Sequence, residues 1–182
     1  FEQHGRSLAQ AYVDSGIAKS SGRPFYPRLQ QNLAVLRQSH AYIAEQERAG
    51  HHVSDAGEWL LDNFQMLMAQ TDEIGQSLPR RYFADLPVLE GGHLAGMPRI
   101  YGVAWAFVAH TDSAIDSELL VRFLNAYQSV GELTFSEIWA LAQVLRVLLV
   151  ENLRRLAERV ATAKAARQAA DEWCDALVET GS

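Results

Sequence analysis

The stretch LTFSEIWALAQVLRVLLVENLRRLAERV, residues 133–160, decides the fold. It opens with Thr134 and, three positions later, Glu137, the spacing of a capping box, in which two side chains close the first turn of a helix. Neither glycine nor proline occurs between Thr134 and Glu179. Apolar residues recur at spacings of three and four, which indicates a helix throughout. At 1.5 Å per residue, such a helix would be about 69 Å long.

A helix of this length exceeds the size of a compact domain of 182 residues, whose radius of gyration is about 16 Å. We therefore expect the C-terminal helix to bend or to project from the rest. Helical periodicity also dominates upstream, with expected boundaries at Gly50, Ser54, Pro98, Asp116 and Gly131. The alternation of apolar and polar residues that marks strands is nearly absent. The predicted fold class is all-α, a multi-helix bundle with a long C-terminal helix.

Three segments make up what we expect to be one domain. Residues 1–50 carry N-terminal helices, residues 51–160 a helical core, and residues 161–182 an extended helical arm. The chain begins with Phe1 rather than Met and has no run of about 18 apolar residues that could span a membrane. We therefore expect a fragment of a larger protein without a membrane span. Its alanine-rich arm suits contact with missing parts of that protein, or dimer formation through the C-terminal helix.

Charge and cysteine content narrow the function classes. Acidic residues outnumber basic ones by 22 to 16, which gives a formal net charge of −6. This balance disfavours nucleic acid or an anionic membrane surface as the partner. The single cysteine, Cys174, excludes an internal disulfide framework and a zinc site built from several thiolates. Because Cys174 falls in an apolar register, we expect a buried and inert thiol.

One pair of carboxylates is a candidate for acid–base chemistry. Glu58 and Asp62 lie four residues apart on one helix face, beside Asn63, and burial could separate their proton affinities. The same spacing is typical of a solvated helix face, or of carboxylates paired with Arg80, Arg81 or Arg99. Because the sequence fixes no third catalytic group, the structural interpretation is favoured.

Two clusters that contain histidine also have both structural and functional interpretations. His51, His52 and Asp55 are metal-ligating residue types, but neighbouring side chains diverge on a helix and a zinc site needs three or four convergent ligands. No metal site is predicted. His110 and Asp112 lie at an expected helix end, where the negative end of the helix dipole favours a capping role for the histidine.

A glycine-rich loop over residues 91–96 leads to Pro98 and Arg99 and superficially resembles an anion cradle at a helix start. Because it lacks a preceding strand, a GxGxxG pattern and a Lys-Ser/Thr pair, a plain loop is the favoured interpretation. Four aromatic residues fall on helical stripes: Trp59, Tyr101, Trp105 and Trp139. We expect them in the core rather than in a sugar-stacking platform.

Four segments, taken together, resemble a known family. They are AGEWLLDNF at 56–64, LPRRYF at 78–83, GMPRIY at 96–101 running on to AHTD at 109–112, and LTFSEIW at 133–139 running on to ENLRR at 151–155. In order and spacing they resemble the amino-terminal region of bacterial cyclic β-1,2-glucan synthases. The resemblance covers roughly residues 50–160, and none of the four segments is a catalytic signature.

The resemblance implies a very large, membrane-bound parent enzyme that builds β-1,2-glucan from UDP-glucose and then cyclises it. It places this fragment on the cytoplasmic side of the bacterial inner membrane, with the other domains of the parent chain as partners. Nothing in the chain looks like a nucleotide-sugar site, since it has no DxD motif at a strand end and no alternating β–α pattern. The implied role is a non-catalytic accessory domain, without a cofactor, that packs against the glycosyltransferase part.

Two other functions remain open at this point. A glucan- or UDP-glucose-binding module would use Arg99 and the 91–96 loop, and a weaker alternative is a hydrolase that uses Glu58 and Asp62. In the accessory interpretation, eight residues are expected to form a buried polar network or interface contacts. They are Glu58, Asp62, Asn63, Arg99, His110, Asp112, Glu151 and Arg155.

Overall fold

The computed structural model describes residues 1–19, 25–77 and 80–180. Within these residues the chain forms seven helices and one pair of two-residue strands. In chain order the elements are α1 (Glu2–Ser15), β1 (Ile17–Ala18), α2 (Phe25–Arg48), α3 (Asp55–Ser77), α4 (Arg80–Ala84), β2 (Val88–Leu89), α5 (Arg99–His110), α6 (Ser117–Gln128) and α7 (Phe135–Thr180). The all-α prediction is confirmed. Leu78 and Pro79, which begin the second family-like segment, lie outside the described residues.

The long C-terminal helix α7 is continuous from Phe135 to Thr180. Its start is the predicted capping box: the Thr134 N–H donates to Glu137 Oε2 at 2.8 Å, and the Glu137 N–H donates to Thr134 Oγ1 at 3.2 Å. Ala157 is its last buried residue among those described. The outer part of α7 therefore projects from the core. None of the helices in the described ranges is both long and apolar enough to cross a membrane.

The core forms where α7 packs against α2, α3 and α5. Helix α5 is apolar on nearly all sides and is almost entirely buried, as expected for a helix enclosed by others. Helices α1 and α6 pack against each other and cover α5, with the rings of Phe107 and Phe123 5.7 Å apart. A Cβ atom at Gly5 would lie 2.8 Å from the Phe123 carbonyl oxygen, so glycine is what allows α1 and α6 to approach this closely.

A second, smaller core holds the α2–α3 hairpin on the middle of α7. Its buried members are Leu36, Ile43, Val53, Leu60, Phe64 and Ala157. Helix α3 starts at the expected boundary, Ser54, whose Oγ accepts a hydrogen bond from the Gly57 N–H at 3.4 Å. Strand β1, which precedes α2, pairs with strand β2, which follows α4, in an antiparallel arrangement with Ile17 opposite Leu89. The sequence did not indicate this pairing. Two residues per strand are too few for an alternating pattern to be visible.

Three expectations about burial are wrong. Trp59 is 48% exposed and Trp139 66% exposed, whereas Tyr101 is buried as expected and Trp105 is partly buried against the larger core. Trp139 lies on the outer side of α7, because the face of this helix that packs on the core carries Glu137, Ala140, Leu141 and Val144. Cys174 is exposed, because it lies beyond the last part of α7 that the bundle covers.

Candidate functional site

Arg99 and Glu137 form a buried ion pair between the start of α5 and the start of α7. Arg99 Nε donates to Glu137 Oε1 at 2.8 Å, and Arg99 Nη2 donates to Glu137 Oε2 and to the Glu132 carbonyl oxygen. The Thr134 backbone N–H and hydroxyl also donate to Glu137 Oε2. Glu137 is completely buried and Arg99 nearly so. We call these three residues, Arg99, Thr134 and Glu137, the Glu137 network.

A second buried carboxylate, Glu151, lies further along α7. Arg28 of α2 donates to both of its oxygens, at 3.1 Å and 2.6 Å. The Tyr101 hydroxyl donates at 2.9 Å, Arg155 at 2.7 Å and the Asn32 amide at 3.4 Å. Arg28 and Arg155 are half-exposed, while the carboxylate is buried. We call these five residues, Arg28, Asn32, Tyr101, Glu151 and Arg155, the Glu151 network.

The Glu151 network holds its carboxylate in the ionised form. Burial raises the pKa of Glu151, but hydrogen bonds from Arg28, Tyr101 and Arg155 outweigh it and lower the pKa from 4.5 to about 2. Burial, together with the Glu151 charge, raises the pKa of Tyr101, so its hydroxyl stays protonated and continues to donate. A carboxylate in this state does not exchange protons near neutral pH, which makes it unsuitable as a general acid or base.

Both networks hold the first turn of α5. Arg99 and Tyr101 belong to that turn, and they contact carboxylates that lie 14 residues apart in the sequence of α7, or about 21 Å along its axis. The Glu151 network also joins α2 to the same helix. The two networks therefore fix the position of α5 and α2 along α7. Within the family-like segments, the third and the fourth meet at these contacts.

The sequence placed Arg99, Glu151 and Arg155 among the candidates, and the structure brings Glu151 and Arg155 together. Five further members of the networks were not among the candidates: Arg28, Asn32, Tyr101, Thr134 and Glu137. Arg28 lies 123 positions from Glu151 in the sequence, so no local spacing could have revealed the contact. Glu137 did carry a signal, its capping-box position, but that pattern does not predict an arginine partner.

Glu58, Asp62 and Asn63 are not part of either network. The Glu58 and Asp62 side chains are exposed on α3, and in the described part of the chain neither forms a hydrogen bond or an ion pair. The Asn63 amide donates to the Trp59 carbonyl oxygen at 2.8 Å, one turn earlier in the same helix. This arrangement is a solvated helix face, and it lacks the burial that would separate the proton affinities of two carboxylates.

His110 and Asp112 lie at the C-terminal end of α5, away from both networks. The His110 ring stacks on His4 of α1 with centroids 3.8 Å apart. Burial lowers the pKa of His4, and the charges of His110 and the N-terminal amine add to this effect. Asp112 adopts a left-handed conformation with φ of 49°, which turns the chain away from α5. His110 therefore joins α5 to α1, and Asp112 belongs to the turn that follows α5.

The remaining candidates also lack a catalytic arrangement. No group of three or more histidine, cysteine, aspartate or glutamate side chains in the described ranges could hold a metal ion. The 91–96 loop is a turn closed by backbone hydrogen bonds, among them Gly96 N–H to the Leu89 carbonyl oxygen at 2.7 Å. Arg99 Nε and Nη2 are directed to Glu137 and to the Glu132 carbonyl oxygen, and not to that loop.

Comparison with known proteins identifies what the chain is similar to. No family model matches it. Over 144 residues it is 37% identical to the cyclic beta-(1,2)-glucan synthase NdvB of Rhizobium meliloti strain 1021. The match covers 79% of this chain and 5% of the length of NdvB. The four family-like segments and this identity together show that the chain resembles a short segment of the cyclic β-(1,2)-glucan synthase NdvB.

Proposed function

We propose that the chain is a non-catalytic helical accessory region of a cyclic β-1,2-glucan synthase and supports glucan synthesis by packing against the glycosyltransferase part. The observation that carries this proposal is that the buried glutamates of the two networks, Glu137 and Glu151, both form ion pairs with arginines of the bundle. Carboxylates in such ion pairs fix how helices align, and they are not free to act on a substrate.

The spacing of the two carboxylates supports the same proposal. Acid–base chemistry on a glycosidic bond uses two carboxyl groups roughly 5–10 Å apart. Glu137 and Glu151 lie about 21 Å apart along α7, and they belong to separate networks. Glu58 and Asp62 are near each other but are exposed on a helix face. The hydrolase alternative therefore has no observation in its favour.

The proposal is tested by removing a whole ion pair from the intact synthase. Arg99→Met together with Glu137→Gln removes both charges, keeps similar side-chain volumes and retains a residue that suits a capping box. Because the pair is assigned a structural role, we expect glucan synthesis from UDP-glucose to stay within about twofold of the wild type, which is less than about 0.4 kcal/mol in activation free energy. The measurement is glucan formed per amount of folded enzyme.

A catalytic role would give the opposite result. Loss of glucan synthesis by more than a hundredfold, in a double variant that accumulates and melts like the wild type, would contradict the proposal. Glu58→Gln with Asp62→Asn is the matched control, because it also removes two charges but at exposed positions of α3. This control should lower the free energy of unfolding by no more than about 1 kcal/mol and leave synthesis unchanged.

An exposed apolar patch at the start of α7 is a second feature that supports an accessory role. Phe135 is 78% exposed, Ile138 45% and Trp139 66%, and spacings of three and four place them on one side of the helix. Large apolar groups clustered in this way mark interaction surfaces. Because the chain spans 5% of the length of NdvB, we propose that another part of the synthase packs against this patch.

Substitution of the patch should separate folding from assembly. Phe135→Ser with Trp139→Ala should change the free energy of unfolding of the isolated chain by less than about 1 kcal/mol, since both side chains are exposed. In the intact synthase the same substitutions should lower thermal stability and glucan synthesis together. Trp59→Ala on α3 is the matched control, because it removes another half-exposed tryptophan.

Two outcomes would argue against packing at this patch. An intact synthase that is unaffected by the double substitution would show that the patch contacts no other part of the enzyme. Saturable binding heat between the isolated chain and linear β-1,2-glucan, lost on Trp139→Ala, would instead favour the glucan-binding alternative, since exposed aromatic faces also stack on sugar rings.

A further inference from the structure

A groove of about 820 Å³ lies between the tip of the α2–α3 hairpin and the outer half of α7. Its volume falls within the roughly 300–1,000 Å³ of small-molecule sites. One wall is formed by residues of the hairpin, including His51 and His52, and the other by one face of α7 over residues 159–171. The groove shares no residue with either buried network.

The α7 wall of the groove is positively charged. Arg159, Lys164 and Arg167 line it, and among the lining residues that the structure describes Asp171 is the only carboxylate. Three cations and one anion give a net charge of +2, in a chain whose overall net charge is −6. Both arginines are exposed, and neither forms an ion pair with a carboxylate in the described part of the chain. Their guanidinium groups therefore have donors available for a ligand.

Contacts between and within the walls hold the groove in place. Lys164 Nζ donates to the His52 carbonyl oxygen across the groove. On the hairpin side, His51 Nδ1 lies 2.8 Å from Gln46 Oε1, within hydrogen-bonding distance. Arg159 and Arg167 lie eight residues apart on α7, which corresponds to about 12 Å. The cations are thus spread along one wall of a preformed cleft.

We propose that this groove binds a small phosphate-bearing anion, which goes beyond the accessory role proposed above. Phosphate oxygens accept the paired N–H groups of guanidinium, and these charge-assisted hydrogen bonds are stronger than neutral ones. A neutral sugar carries no charge that could pair with the three cations of the groove. A long polyanion would be repelled by the acidic remainder of the chain, whereas a small anion contacts only the groove, where the three cations outnumber the single carboxylate of Asp171.

The test is calorimetric titration of the 182-residue chain with inorganic pyrophosphate. Arg159→Gln with Arg167→Gln should weaken binding at least about fivefold, and added salt should weaken wild-type binding. Because both side chains are exposed, the double variant should melt like the wild type. Arg122→Gln is the matched control, because it also removes a guanidinium, but one that is paired with Glu2 and does not line the groove. This variant should bind pyrophosphate as the wild type does.

A second arm of the experiment distinguishes a free anion from a lipid headgroup. The chain is sedimented with vesicles of phosphatidylglycerol and phosphatidylcholine, and with vesicles of phosphatidylcholine alone. Saturable pyrophosphate binding supports a soluble ligand. Sedimentation only with the anionic vesicles, lost in the double arginine variant, supports a phospholipid headgroup. Absence of binding in both arms, or equal binding by wild type and double variant, would overturn the proposal.

Discussion

Replacing Arg99 with alanine is expected to lower the free energy of unfolding by about 3–5 kcal/mol. The variant leaves the Glu137 carboxylate fully buried and without its guanidinium partner, and an uncompensated buried charge is among the most costly defects in a protein. The Glu132 carbonyl oxygen loses a donor as well. Since small domains are stable by about 5–15 kcal/mol, this is a large share of the total. Urea unfolding followed by circular dichroism measures it.

Two controls connect this loss to the buried charge. Arg122→Ala removes an arginine from an exposed ion pair with Glu2 and should cost less than about 1 kcal/mol. Arg99→Met with Glu137→Gln should be milder than Arg99→Ala, because no charge is left behind. If Arg99→Ala costs no more than Arg122→Ala, the buried pair does not stabilise this fold.

Replacing Glu151 with glutamine is expected to cost about 2–3 kcal/mol at neutral pH, because hydrogen bonds from Arg28, Tyr101 and Arg155 lose their ionised acceptor. The matched control is Glu158→Gln, which removes an exposed carboxylate paired with Arg154 on the same helix. That control should cost less than about 0.5 kcal/mol. Urea unfolding of both variants and of the wild type gives the comparison.

The contribution of Glu151 should also depend on pH. Its pKa is lowered from 4.5 to about 2 in the folded chain, so the unfolded chain takes up this proton first as the solution is acidified. The stabilisation is therefore complete above about pH 4.5 and is lost as the pH falls toward about 2. The stability difference between wild type and Glu151→Gln should narrow over this range. A difference that stays constant with pH would contradict the assigned role.

The expected effect of substituting Glu58 changes once the fold is known. From the sequence, Glu58→Ala and Arg99→Ala are both expected to lower stability more than ligand affinity. In the structure Glu58 is exposed in the first turn of α3, where a carboxylate gains only about 0.3–1 kcal/mol from the helix dipole. Of these two substitutions, only Arg99→Ala is therefore expected to cause a large loss of stability.

Local patterns in the sequence determined where most helices begin and end. The capping box at Thr134 and Glu137 marks the start of α7, and Asp116 caps α6 by accepting from the backbone N–H groups of Glu118 and Leu119. These contacts join residues two or three positions apart, so both partners of each contact can be recognised within one short segment of the sequence. The absence of glycine and proline between Thr134 and Glu179 likewise predicts a continuous α7.

Only the tertiary structure decided which polar residues form the candidate site. Arg28 contacts Glu151, which is 123 positions away in the sequence, and Arg99 contacts Glu137, which is 38 positions away. Helical periodicity relates residues only within one helix, so it cannot predict contacts between residues this far apart in the sequence. The exposure of Trp139 and the groove beside Arg167 depend equally on which helix faces find a neighbour. A periodic stripe shows that a helix has an apolar side, but packing alone decides how much of that side is covered.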